Sequence, residues 1–170
     1  ATAKEYLDVG STGWVSLVFG YGENFGFFIN QGYPNDGTES TYGGYNGTLI
    51  TDTAVQDGDT VDFFVYGDGD TWSDYYTWID APSFLKDGEE ATVTVKGFYA
   101  VSAYLYKDAA SLKAAAKALE GVQLGWLDPS TGAVKLISGA VTDENGSATF
   151  SVSKDTATGY LVAASYGKDD

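Results

Sequence analysis

The chain has 170 residues with 24 acidic side chains, nine lysines and no arginine, a net charge of −15, and no histidine, cysteine or methionine. Without His or Cys it has no imidazole or thiolate nucleophile, no Ser-His-Asp relay and no conventional zinc ligand set. An acidic surface lacking arginine is repelled by nucleic-acid phosphates and by anionic membrane surfaces, so neither is an expected partner.

Apolar residues make up 44% of the sequence, and no run approaches the ~18 that mark a spanning helix. The length suits a single domain, expected here as one continuous unit over 1–170. The start at Ala1, with no signal-peptide pattern, reads as a mature or trimmed chain. A composition rich in Gly, Tyr, Asp, Thr and Ser and free of Cys and Met suits an extracellular setting.

The dominant period along the chain is two, the alternation of a β-strand. Val15, Leu17, Phe19 and Tyr21 alternate with Trp14, Ser16, Val18 and Gly20, and a strand from Phe25 to Asn30 puts Phe25, Phe27 and Ile29 on one face. Residues 31–48 are mostly Gly, Asn, Asp, Ser, Thr and Tyr and read as a long aromatic loop. Leu49 to Val55 reads as a short strand ending at the Asp57-Gly58 turn, and Val61 to Tyr66 and Tyr75 to Asp80 as strong strands joined through GDGDTWSD. Ala91 to Gly97 alternates well, and Phe98 to Tyr106 reads as a further strand or a continuation past Gly97.

One segment departs from this period. DAASLKAAAKALEG predicts a short connecting helix at about 109–120, with Asp108 as N-cap, Leu112, Ala116 and Leu119 on one side, and Gly121 as the stop. Strands resume at Val122–Leu127, Val134–Ile137, Ala140–Thr142, Ser147–Val152 and Tyr160–Ser165, with Asp143-Glu144-Asn145-Gly146 as a hairpin turn. Roughly ten short strands at this spacing predict an all-β, immunoglobulin-like β-sandwich with one short connecting helix.

Candidate chemistry comes from pairing 61–66 with 75–80 antiparallel across the 67–74 connection. With Phe63 opposite Ile79 and Val65 opposite Thr77 on an apolar face, the other face carries Asp62 opposite Asp80, Phe64 opposite Trp78 and Tyr66 opposite Tyr76. A neighbouring strand 91–97 would give Val93 and Val95 to the core and Thr92, Thr94 and Lys96 to the outside. Rings beside carboxylates, hydroxyls and a lysine suit a sugar, which offers a C–H face to an aromatic plane and a rim of hydroxyls to polar groups. The same row of rings equally suits an aromatic core facing a second sheet.

Trp72 and Tyr75 stand among Asp68, Asp70, Ser73 and Asp74 in the connection, either to meet a ligand or to pack on the adjacent sheet. Tyr33, Tyr42 and Tyr45 pose the same choice in the 31–48 loop, among Asn35, Asp36, Glu39 and Asn46. Trp14 and Trp126 read as core. Asp68-Gly69-Asp70 followed by Asp74 lacks the spacing of a calcium loop and reads as a solvated acidic turn, so no metal and no cofactor is expected. Asp62 and Asp80 could in principle form a glycosidase pair, but 24 acids bring carboxylates together by chance and nothing builds a deep cleft, so no enzyme is expected.

The stretches VQDGDTVDFFVYGD…WSDYYTWID, ATVTVKGFYA…ALEGVQLGWLD and GAVTDENGSATFSV…GYLVAAS resemble modules of large secreted and surface proteins of gut Firmicutes. The last third resembles the bacterial Ig-like pattern. The aromatic first half is similar to the non-catalytic starch-binding domains of the starch adherence system proteins that assemble into amylosomes. The resemblance implies binding of α-1,4-linked glucan or maltooligosaccharide at the bacterial cell surface, without a cofactor, beside other modules of a multi-domain complex. No binding residue is carried over from the resemblance; the strand and loop argument makes Trp72, Tyr75, Tyr76, Trp78 and Tyr66 the expected stacking residues, with Asp70, Asp74 and Lys96 as hydrogen-bonding partners. The alternative is a structural Ig-like adhesin repeat with a protein partner.

Overall fold

A computed structural model describes residues 7–11, 15–18, 25–155 and 159–166. The fold is all-β, with one short α-helix and one 3-10 helix among the described residues. The chain divides into two compact units, Ala1–Tyr75 with Tyr99–Ala115, and Tyr76–Phe98 with Ala116–Asp170. The chain passes from one unit to the other and back without a Gly/Pro-rich linker, so no shift in composition marks the boundary.

The first unit is built from antiparallel pairs. β1 (Leu7–Val9) pairs with β2 (Val15–Val18), while Trp14, Phe19 and Tyr21 of the expected first strand lie outside the described residues. β3 (Phe25–Ile29) ends where Asn30 and Gln31 turn into the left-handed region at φ 51° and 64°. The expected loop 31–48 contains a hairpin, β4 (Asn35–Glu39) and β5 (Tyr45–Gly47), turned by Ser40 N–H to Gly44 O at 2.8 Å. Thr38 and Asn46 stitch it across at 2.9 Å. Glycine and asparagine hid this hairpin because their β propensity is low. Leu49–Val55, by contrast, is turn and extended coil rather than strand.

β6 (Val61–Val65) pairs with β3 in register, Phe63 opposite Phe27 and Phe64 opposite Gly26. A Cβ on Gly26 would lie 2.6 Å from the tip of the Phe64 ring, so the ring lies down over the glycine. The expected pairing of 61–66 with 75–80 therefore does not form. β3 takes the partner position instead, with Phe28 opposite Asp62 at a separation of 34 residues, and lays the phenylalanines of FGFFI against those of VDFFV.

The second unit is a β-sandwich. β7 (Tyr75–Asp80) and β12 (Ser147–Ser151) flank β8 (Glu90–Tyr99), which also pairs with the two-residue β9 (Lys117–Ala118). β10 (Val122–Leu127) lies between β11 (Val134–Val141) and β13 (Tyr160–Tyr166). Four strands and three strands match the count of small immunoglobulin-like sandwiches. Inward residues alternate as expected: Val93, Val95, Val122 and Leu124 are buried, and Trp126 meets Phe150 edge-on at 6.0 Å across the two sheets. Each such aliphatic side chain contributes about 1.5–3 kcal/mol of burial.

Two boundaries differ from expectation in instructive ways. α1 is only Ala109–Ala115, capped by Asp108 Oδ1 accepting from Ser111 N–H at 2.8 Å, and the tail expected to be helical becomes β9. Leu119 N–H donates to Val95 O at 3.0 Å, so sheet hydrogen bonding overrides helix propensity there. The Asp143–Gly146 turn forms, with Asp143 Oδ1 accepting from Asn145 and Ser147 N–H at 2.9 Å, but it does not close a simple hairpin. β12 leaves the sheet of β11 and pairs with β8, and Gly146 at φ 71° passes so close to Val95 O that a Cβ would lie 2.6 Å from it.

Candidate functional site

On β6, period two puts Asp62 and Phe64 on one face, and Tyr66 follows just beyond the strand. From the interior outward the rings run Phe28, Phe64, Tyr66, Trp72. Phe28 is buried and lies 4.9 Å from Phe64, Phe64 meets Tyr66 edge-on at 5.3 Å, and Tyr66 meets Trp72 edge-on at 4.8 Å. The row ends at the surface, where Trp72 is 37% exposed.

The GDGDTWSD connection is built around one carboxylate. Asp68 accepts from the backbone N–H groups of Asp70 and Thr71 at 3.1 and 2.9 Å, and from the hydroxyls of Ser73, at 2.5 Å, and Thr71. These bonds to the charged form, the Ser73 hydroxyl first, hold the Asp68 carboxyl well below the usual carboxylate range. Asp74 closes the loop by accepting from Asp68 N–H at 2.8 Å. Pinched this way, the chain carries Trp72 at φ 56°, a left-handed conformation that a bulky residue rarely adopts. Trp72 N–H donates to Asp68 O at 3.1 Å. The acidic turn is thus a frame that aims a tryptophan.

Beside this row lies a cleft of about 600 Å³, lined by Phe25, Phe27, Tyr33, Leu49, Phe64, Tyr66, Trp72, Val101 and Tyr104 among others. No charged side chain lines it among the described residues. Its size falls within the range of small-molecule sites, and its walls are aromatic with phenol hydroxyls as polar points. Burial is the main cause that pushes the Tyr66 phenol up to about 12, with the nearby Asp74 carboxylate adding to it. Burial also raises Tyr33. Both therefore keep their protons and remain hydrogen-bond donors at neutral pH.

The structure divides the expected site residues. Tyr66 and Trp72 line the cleft, and Asp74 anchors its loop. Asp70 is exposed on the same loop. Tyr75 packs on Tyr99 at 4.3 Å in the same unit and is not part of the cleft lining. Tyr76, Trp78 and Lys96 belong to the second unit, where Tyr76 and Trp78 pack on Phe98 at 5.6 and 6.2 Å, and Lys96 pairs with Asp80 at 2.9 Å. The expectation for 91–97 holds: Val93 and Val95 point to the core, while Thr92 is exposed and Thr94 and Lys96 are half-buried.

Several lining residues escaped the sequence reading. Val101 and Tyr104 lie on the 3-10 helix Ala100–Leu105, where the strand pattern was expected to continue; three-residue spacing on such a helix puts both on one side. Their spacing in AVSAYL was the available signal. Leu49 lies in coil rather than a strand, and Tyr33 is the one tyrosine of the 31–48 segment that reaches the cleft. Tyr42, at the hairpin tip, is 97% exposed. No protein-family model, curated protein or solved structure matches the chain.

Proposed function

We propose that this chain is a non-catalytic carbohydrate-binding module that holds neutral polysaccharide, of the starch-type α-1,4-glucan class, outside a bacterial cell. The observation that carries this reading is the exposed Trp72, set in a strained backbone at the end of a row of rings beside an uncharged aromatic cleft. A strained conformation persists only where surrounding structure over-determines it, and such positions concentrate at ligand contacts. Rings offer planes to the C–H face of a pyranose, and the protonated phenols of Tyr33 and Tyr66 offer donors to its hydroxyls.

Charge supports a neutral ligand. A chain of net charge −15 repels uronic acids and sulfated glycans at long range but leaves a glucan unaffected. With stacking worth ~1–3 kcal/mol per ring by analogy with nucleobases, one such cleft gives micromolar to millimolar binding.

Native gel electrophoresis through amylopectin, glycogen or a mixed β-glucan tests the reading. Retardation in the α-glucan gels, with no shortened products after incubation with maltooligosaccharides, is the expected result. Unretarded migration in every gel would overturn it in favour of an Ig-like adhesin repeat with a protein partner.

A further inference from the structure

We propose that the chain carries a second, separate glucan-binding surface on the outer face of β7 and β8, so that one molecule holds neutral polysaccharide at two places; this rests on the carbohydrate reading of the cleft. The eight residues expected to form one site fall into two units, and each set has its own aromatic and polar parts.

On β8 the inward face carries Ala91, Val93 and Val95, which with Ala148 and Phe150 of β12 fill the sandwich core. The opposite face lies outside that core at Thr92, Thr94 and Lys96, and its Phe98 is buried beneath neighbouring rings. It carries Thr92, Thr94, Lys96 and Phe98, each about 6.6 Å from the next at strand spacing. Tyr76 and Trp78, also one strand period apart, rest their rings on Phe98 at 5.6 and 6.2 Å and remain half-buried. Next to them the Lys96–Asp80 pair stays open to solvent at 42% and 53% exposure. Farther along, Thr92 meets Thr149 at 2.8 Å and Thr94 meets Ser147 at 3.4 Å, which extends the face as a line of hydroxyls.

The occupant follows from the charge and chemistry of that face. Lys96 and Asp80 cancel locally, so the face attracts neither anion nor cation, and a second copy of the chain at −15 is repelled. Two rings followed by a charge pair and a row of hydroxyls fit an extended chain of neutral sugars, with ring faces on Trp78 and Tyr76 and hydroxyls on Lys96, Asp80 and the threonines. Two sites on one chain also strengthen retention on a long polymer whenever both engage, by linkage alone.

Calorimetric titration of the intact protein with maltoheptaose, together with retention on amylopectin gels, tests the inference. Two sites per chain are expected, falling to one in Trp72→Ala and one in Trp78→Ala, and to none in the double variant. Lys96→Ala, at a half-buried position outside the sandwich core, is expected to weaken only the second site by about fivefold or more. One site per chain in the wild type, with Trp78→Ala and Lys96→Ala both unchanged, would overturn the second surface and leave the cleft standing. A wild-type protein that binds no neutral glucan at all would overturn the carbohydrate reading on which it rests.

Discussion

Replacing Trp72 by alanine and, separately, by glycine divides what the ring does from what the backbone does. At φ 56° any L-residue occupies the left-handed region at a cost of about 1–2 kcal/mol, which glycine does not incur. Glycine gives back about 0.4–1 kcal/mol through the greater freedom of its unfolded chain. The glycine variant is therefore expected to be more stable than the alanine variant by about 1 kcal/mol, or about 2–4 °C in Tm for a chain of this size. Both lose the edge-on contact with Tyr66 at 4.8 Å, worth about 0.5–1.5 kcal/mol, so the alanine variant is less stable than the wild type, whereas in the glycine variant the relief of strain offsets much of that loss. Because Trp72 is 37% exposed, the loss stays below the ~3–5 kcal/mol of a buried tryptophan. In amylopectin gels the two variants should weaken cleft binding equally, by about 5- to 150-fold if the ring supplies ~1–3 kcal/mol. Equal Tm values for alanine and glycine would refute the claim that the Asp68 frame imposes strain, and undiminished retention would remove Trp72 from the site.

Gly26→Ala forces a Cβ to within 2.6 Å of the Phe64 ring and should cost about 1–3 kcal/mol in urea unfolding, with weakened cleft binding because the displaced ring lines the cleft; a neutral effect would contradict the packing of β3 on β6. Gly146→Ala should destabilise more than Gly132→Ala, since both glycines have φ near 70°, at 71° and 73°, but only Gly146 meets backbone, at 2.6 Å from Val95 O; denaturation midpoints for the pair isolate the steric part. Asp36, Asp59, Asp68, Asp108 and Asp128 all have carboxyls held below the ordinary range by hydrogen bonds to the charged form. Their folded values lie under their unfolded ones, so the stability they give is complete above about pH 4 and is lost as pH falls through the folded values. Tm measured from pH 5 down to pH 2 should fall, and less steeply in Asp68→Asn; identical slopes would show that the Asp68 bonds do not stabilise the folded loop.

Local chemistry was legible in the sequence wherever it sets structure locally. The alternation of ATVTVKG fixed which side of β8 is core, the strand VQLGWL placed Trp126 in the interior, and Asp108 capped its helix as expected. Its composition alone removed thiolate and imidazole chemistry. Pairing over long distances was not legible, because a strand's period says which residues share a face and nothing about which strand lies beside it. Phe-rich β3 claimed β6, β8 claimed β7, and the residues expected on one face were divided between two units. Hydrogen bonding to β8 likewise turned the end of an alanine-rich helix into strand. Tertiary structure also decided what the acidic turn is for: the sequence shows three aspartates around a tryptophan, and only the folded loop shows Asp68 gathering the donors and Asp74 closing the ring while Trp72 is turned outward. Composition bounds the chemistry a chain can perform, whereas a site needs residues distant in sequence to meet, and that meeting is settled by which apolar faces bury each other best.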